Sequence, residues 1–236
     1  MCGRFAQPRS PEELGRLFRA TAVSDLPGDR FNVAPTDPVA AVVEHHGERV
    51  VDTFRWGLVP YFAEHPKQRS PLINARAETV ETSPSFRTSF ARRRCIVPAD
   101  AFYEWRRHRN PDTGRVVRSE PFAIRRRDEQ PLAFAGIWAV WRDPVTADRL
   151  FSLAIVTGPP NGLVATVHDR MPVVLHRDDW ATWLSEASSL EEVRSLLRPS
   201  PAGELLLYPV SPAVNNVRSQ GRELLLPLTR WGAAAQ

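Results

Sequence analysis

The chain has 236 residues, 42% of them hydrophobic, with a formal net charge of +4 and only two cysteines. That length buries a core without disulfides or metals, which leaves one large domain or two small ones. Cys2 and Cys95 are too few for a disulfide framework and lack the paired spacing of zinc ligands, which points to a reducing compartment and to no metal. No apolar run reaches the ~18 residues of a membrane span and no signal-peptide core opens the chain, so a soluble, cytoplasmic protein is expected. Lys67 is the only lysine among 31 basic residues. The moderate positive balance is compatible with a polyanion partner without demanding one.

Position 2 is the first point of chemistry. Removal of the initiator methionine, which a small side chain at position 2 permits, gives Cys2 a free α-amine beside its thiol. Such an aminothiol condenses with an aldehyde through the amine and then closes to a thiazolidine through sulfur. Alternatively the thiol alone attacks a carbonyl with the α-amine as base, these groups titrating near ~8.5 and ~7.7–8.0 in model peptides. A cysteine there can equally be a frayed terminal residue.

Further along, Ser10-Pro11-Glu12-Glu13 reads as a capping box with proline at the first helical position, and predicts a helix with Leu14, Leu17 and Phe18 on one side. Strands are expected over 38–43, 49–56, 94–97, 102–106, 121–124, 132–138 and 150–157. Asn110 to Gly114 has the composition of a hairpin turn. Ser189-Leu190-Glu191-Glu192 repeats the capping signal before Val193, Leu196 and Leu197. Strands outnumber helices and do not alternate with them. The fold class expected is therefore α+β: a single domain over 1–231, with curved, largely antiparallel, barrel-like sheets and peripheral helices, then a loose tail at 232–236. Arginine clusters at 92–94, 106–109 and 125–127 read as solvated faces or as phosphate grips.

Three polar residues sit among apolar or aromatic neighbours. Asn74 ends an apolar run, where an amide orients a substrate hydroxyl or a terminal amine, or else caps a turn. Glu104 lies in Phe102-Tyr103-Glu104-Trp105; strand alternation puts it on the face of Phe102, opposite Tyr103 and Trp105. A desolvated carboxylate there has a raised pKa suited to moving protons, whereas an edge-strand glutamate simply faces water. His168, in Val167-His168-Asp169-Arg170-Met171-Pro172, is either a structural histidine or an acid–base near neutral pH.

These residues lie in a series of ordered blocks. They are Met1-Cys2-Gly3-Arg4-Phe5, Phe31-Asn32-Val33-Ala34-Pro35-Thr36, Arg55-Trp56-Gly57-Leu58-Val59-Pro60, Asn74-Ala75-Arg76-Ala77-Glu78-Thr79, Arg94-Cys95-Ile96-Val97-Pro98-Ala99-Asp100, Phe102-Tyr103-Glu104-Trp105 and His168-Asp169-Arg170-Met171-Pro172. From residue 2 to about 217 the chain resembles the SOS response-associated peptidase (SRAP) family. The resemblance implies recognition of abasic sites in single-stranded DNA, with the N-terminal cysteine linked to the ring-opened deoxyribose aldehyde as a thiazolidine. Carried over by motif, Cys2 supplies amine and thiol, Asn74 holds the terminal amine or the sugar, Glu104 moves protons, and His168 assists ring opening and reversal.

Arg4 and Arg76, with Arg170 a third candidate, match positions that hold phosphates. Among the aromatics, Trp105, Phe62 and Phe90 are candidates to stack on bases. Removal of Met1 is the peptidase event expected, either self-catalysed through Cys2 with Glu104 and His168 or performed by an ordinary aminopeptidase. No cofactor is needed, and a monomer whose main partner is abasic single-stranded DNA is expected, associated with the nucleoid when bound. Two positions depart from the usual pattern: Tyr61-Phe62 stands where tryptophan is common, and Ala101 stands for a glycine. Two other readings compete. A noncovalent reader of modified or damaged DNA would not need Cys2, and a class II glutamine amidotransferase would need glutamine-binding segments that are not recognisable here.

Overall fold

The computed structural model describes residues 2–22, 28–66 and 70–228. The expected tail at 232–236 lies outside them. In chain order the elements are β1 (Phe5–Gln7), α1 (Pro11–Phe18), β2 (Thr21–Ala22), β3 (Arg30–Val33), β4 (Pro38–His45), β5 (Glu48–Trp56) and β6 (Asn74–Arg76). They continue with α2 (Arg87–Arg92), β7 (Arg94–Ala99), β8 (Ala101–Arg109), β9 (Val116–Arg126), β10 (Leu132–Arg142) and β11 (Arg149–Gly158). The last are β12 (Met171–Pro172), α3 (Trp180–Leu184), α4 (Leu190–Ser195) and β13 (Leu205–Pro209). Among the described residues no helix is long and apolar enough to cross a membrane.

Both capping boxes form. Ser10 accepts from the Glu13 amide while the Glu13 carboxylate accepts from the Ser10 amide, and Ser189 and Glu192 do the same at α4. Each satisfies amides that the first helical turn leaves open. The 110–114 turn also forms, with Asn110 Oδ1 accepting from the amides of Asp112 and Thr113, and Gly114 at φ 65°.

The larger sheet runs β12-β11-β10-β7-β4-β5-β2 and is mostly antiparallel. β5 also pairs in parallel with β11 through Arg55↔Ser152 and Trp56↔Leu153, closing a ring of five strands. This is the curved, barrel-like α+β architecture that the strand-rich pattern predicts. Period-two alternation feeds two cores from the same strands. Along β10, Ala133, Ala135, Ile137 and Ala139 pack with helix residues Leu14, Phe18, Phe90 and Trp183, whereas Leu132 and Phe134 pack with Cys2, Phe5 and Phe102. The helices therefore lie at the periphery.

The second sheet, β13-β9-β8-β1-β3, is antiparallel and carries the N-terminal segment. Phe5 pairs with Phe102 and the Tyr103 amide donates to the Arg4 carbonyl at 2.9 Å, which fixes where Cys2 emerges beside β8. The C-terminal segment covers the other face of this sheet, packing Val210, Val214 and Leu224 on Ala6, Tyr103 and Ala123.

Candidate functional site

Cys2, Asn74, Glu104 and His168, up to 166 residues apart in sequence, meet at one end of the larger sheet. Cys2 is fully buried, with its carbonyl accepting from Asn74 Nδ2 at 2.8 Å and its sulfur 3.9 Å from the Arg4 carbonyl. Asn74 opens β6, which lies parallel to β11 in the register Asn74↔Ile155 and Arg76↔Thr157. The turn-capping alternative for Asn74 is thereby replaced by a strand position whose amide holds the N-terminal segment.

Glu104 lies on the face of β8 that Phe102 shares, and only 3% of it is exposed, so it is not a water-facing edge residue. Burial raises its carboxyl pKa to about 7, against the opposing effect of nearby positive charges such as Arg107. His168 follows a short 3-10 turn capped by Asn161, whose Oδ1 accepts from the Leu163 and Val164 amides. β12 then returns the chain to β11 at Thr157↔Pro172.

His168 Nδ1 accepts from the Arg170 amide at 3.0 Å and lies 2.9 Å from Asp169 Oδ1, while Nε2 faces Glu104 Oε2 at 3.8 Å. Burial lowers the His168 pKa below the ordinary histidine value, and the neutral ring is the form present at neutral pH. Burial, and then the charge of Glu104, push the Cys2 thiol well above its ordinary range. A thiol attacking first as a thiolate is therefore disfavoured, because the site stabilises the S–H form.

Among the described residues two buried acceptors here find no hydrogen-bond partner: Asn74 Oδ1 and Thr157 Oγ1. Thr157 follows Leu153 and Ile155 on the face of β11 that packs with Cys2. Orphaned buried oxygens of this kind cost free energy unless something bound meets them. Thr157 is invisible in the sequence because a β-branched residue in a strand reads as core. Asn32, also overlooked, is fully buried and accepts from Arg4 Nη1 at 2.8 Å while donating to the carbonyls of Val214, Asn216 and Ser219. Its only sequence signal is its place in the Phe31-Asn32-Val33-Ala34-Pro35 block. Among the described residues no three His, Cys, Asp or Glu side chains gather as a metal site would require.

The anticipated DNA-facing residues separate into four situations. Arg76 is exposed, on the same side of β6 as Asn74, with no carboxylate at ion-pair distance among the described residues. Arg4 is half-buried over the Trp105 ring at 5.9 Å and also donates to the Val214 carbonyl, while Trp105 Nε1 donates to Asn215. Arg170 is bidentate to Glu78 at 2.6 and 2.9 Å and donates to the Thr157 carbonyl, so it clamps the strand ends around Asn74 and His168 instead of presenting an open cation. Phe62 is 53% exposed, edge-on to Tyr61.

Phe90 corrects the sequence reading. It is 1% exposed on α2 and packs edge-on against Trp183 in the helix-facing core, where no base can reach it. A short helix with no capping signal places it there, which pattern reading missed.

The family model for SOS response associated peptidase (SRAP) matches residues 1–217. The chain belongs to the SRAP family. It is 34% identical over 230 residues to the abasic site processing protein YoqW of Bacillus subtilis, covering 95% of this chain and 99% of that one. It is 33% identical to the abasic site processing protein YedK of Escherichia coli, covering 97% of this chain and all of that one. A crystal structure of a Bacteroides thetaiotaomicron protein superimposes with a TM-score of 0.84 at 22% identity, over 97% of this chain and 100% of that chain. That last likeness is one of fold.

Proposed function

We propose that the chain is an abasic-site processing protein that links Cys2 covalently to the ring-opened sugar aldehyde of an abasic nucleotide in single-stranded DNA. The observation that carries this reading is the seating of Cys2: Asn74 holds its carbonyl at 2.8 Å, beside a carboxyl that titrates at about 7 and a neutral imidazole 3.8 Å from that carboxyl. A group titrating near neutrality both gives and takes protons at working pH.

The chemistry follows from the residue types. After Met1 is removed, the Cys2 amine adds to the aldehyde carbon and protons pass through Glu104 so that the carbinolamine loses water as an imine. The Cys2 sulfur then attacks the imine carbon, a C–S bond forms, and the S–H proton moves to the imine nitrogen. The net change is one aldehyde plus one aminothiol giving one thiazolidine and one water. The high thiol pKa suits this order, since the sulfur acts last and delivers its own proton.

In this reading His168 donates a proton toward the sugar ring oxygen as the ring opens. Asn74 Oδ1, without a partner among the described residues, accepts from the Cys2 amine or a sugar hydroxyl. Arg76 and Arg4 hold phosphates, and Phe62 and Trp105 stack on flanking bases. The family's peptidase description is accounted for by hydrolytic removal of Met1 at this same site.

The test is denaturing electrophoresis after incubation with single-stranded DNA containing one abasic site. A slow-migrating band is expected with the processed chain and none with Cys2→Ala. A band that survives Cys2→Ala overturns the mechanism. Undiminished abasic-site selectivity without any band supports the noncovalent reader instead.

A further inference from the structure

Beyond Trp105, the hairpin formed by β8 and β9 leaves the body of the protein. Residues 107–109 and 111–119 are all exposed, including Val116 and Val117. A two-stranded ribbon that adds nothing to a core is only marginally stable by itself. Its charge is out of proportion to its size: residues 107–119 hold four arginines and one aspartate, a net +3 against +4 for the whole chain.

The ribbon prolongs the strand that carries Glu104, and its foot lies beside Arg4, two residues from Cys2. Strand alternation puts Trp105 and Arg107 on the face of β8 opposite Glu104, Arg109 follows past a register irregularity at His108/Arg109, and Arg4 lies over the Trp105 ring at the foot of that stripe. At 3.2–3.4 Å per residue the stripe carries positive charge about 13 Å outward from Trp105. On the other face Arg118 and His108 share Glu120, at 3.4 and 3.6 Å, and Arg106 lies over the Phe122 ring, so those side chains are occupied. Arg107 and Arg115 have no ion-pair partner among the described residues, and Arg109 makes only a 2.8 Å bond to the Gly114 carbonyl.

We propose that this arm is a track for the phosphodiester backbone flanking the lesion, with Arg107, Arg109 and Arg115 holding successive phosphates of the strand that Cys2 engages. The proposal rests on the abasic-DNA reading above for the identity of the strand. Its occupant follows from charge complementarity and from continuity with Trp105 and Arg4. Contacts of this kind add affinity and salt dependence without sequence preference.

The experiment compares wild type with Arg109→Gln/Arg115→Gln, two tip residues away from Cys2. Linked product is measured on single-stranded DNA carrying one abasic nucleotide between flanks of about 3 or about 12 nucleotides, below and within the span of a single-strand site. Salt dependence of noncovalent binding is measured on long undamaged single strands, with both proteins in a Cys2→Ala background. The double variant is expected to link short DNA as wild type does and to lose the rate advantage of long flanks. Its log–log salt slope should be shallower by about 1.4, or 0.7 per lost phosphate contact. Arg109→Lys/Arg115→Lys should restore the slope, and the melting temperature should not move.

An unchanged slope and flank advantage would overturn the proposal, as would equal loss on short and long DNA. If wild type links no abasic DNA at all, the covalent reading fails, while the salt slope on undamaged DNA still decides the arm.

Discussion

Replacing Glu104 with glutamine should stabilise the protein while disabling its chemistry, and the size of the effect follows from burial. The carboxyl moves from 4.5 to about 7, and each pKa unit is worth 1.36 kcal/mol, so holding this group ionised in the fold costs about 3 kcal/mol. With 3% of the residue exposed there is no solvent screening to discount. The folded state binds this proton more tightly than the unfolded chain. The wild type therefore keeps the full contribution below about pH 4.5 and loses it as pH rises through about 7. Glutamine has the same shape and no proton to lose.

The difference between Glu104→Gln and wild type should grow from near zero at pH 4.5 to about 3 kcal/mol at pH 8, or about 6–12 °C in melting temperature for a domain of this size. Thermal or urea unfolding of both proteins across that range measures it, and titrations of groups remote from Glu104 cancel in the difference. Parallel curves, or a variant less stable at pH 8, would refute the argument from burial. Linkage to abasic DNA should meanwhile slow by ~10²–10⁴-fold, the usual contribution of a positioned acid–base.

Other expectations are as direct. Cys2→Ser keeps the amine but not the sulfur, so borohydride should trap an imine while no linkage stable to denaturation accumulates; a stable band without reductant would reverse the proposed order of attack. Phe90→Ala should cost ~3–5 kcal/mol in unfolding measurements, and the folded fraction should keep wild-type DNA affinity. Arg94 is buried and donates to four backbone carbonyls, those of Phe90, Ala91, Trp183 and Ser185, at 2.5–2.8 Å. Arg94→Ala should destabilise by roughly 3 kcal/mol or more, since several buried acceptors lose their partner at once; a change under ~1 kcal/mol would show that water replaces it. Asn74→Ala should slow linkage ~5- to ~150-fold at unchanged phosphate affinity, read from single-turnover rates and the salt slope, because a lost buried hydrogen bond is worth ~1–3 kcal/mol.

The parts of this protein legible in its sequence are those governed by local physics. Two capping boxes, the strands from β4 to β11 apart from the short β6, and the Asn110 turn depend on neighbours within a few residues, and each appears where expected, with ends shifted by a few residues. Alternation along β8 likewise puts Glu104 on the face of Phe102. Ordered motifs identified Cys2, Asn74, Glu104 and His168 as candidates, because amide, carboxyl, imidazole and thiol are chemically conspicuous among apolar residues.

Only the tertiary structure decided how far water is excluded from them. Glu104 titrates near 7 and the Cys2 thiol stays protonated because strands distant in sequence close over both. The same packing buried Phe90, spent Arg170 on Glu78, and left Thr157 with an unmet hydroxyl. Desolvation and long-range pairing are sums over neighbours that no local pattern encodes, and so the residue types were readable in advance while their working state was not.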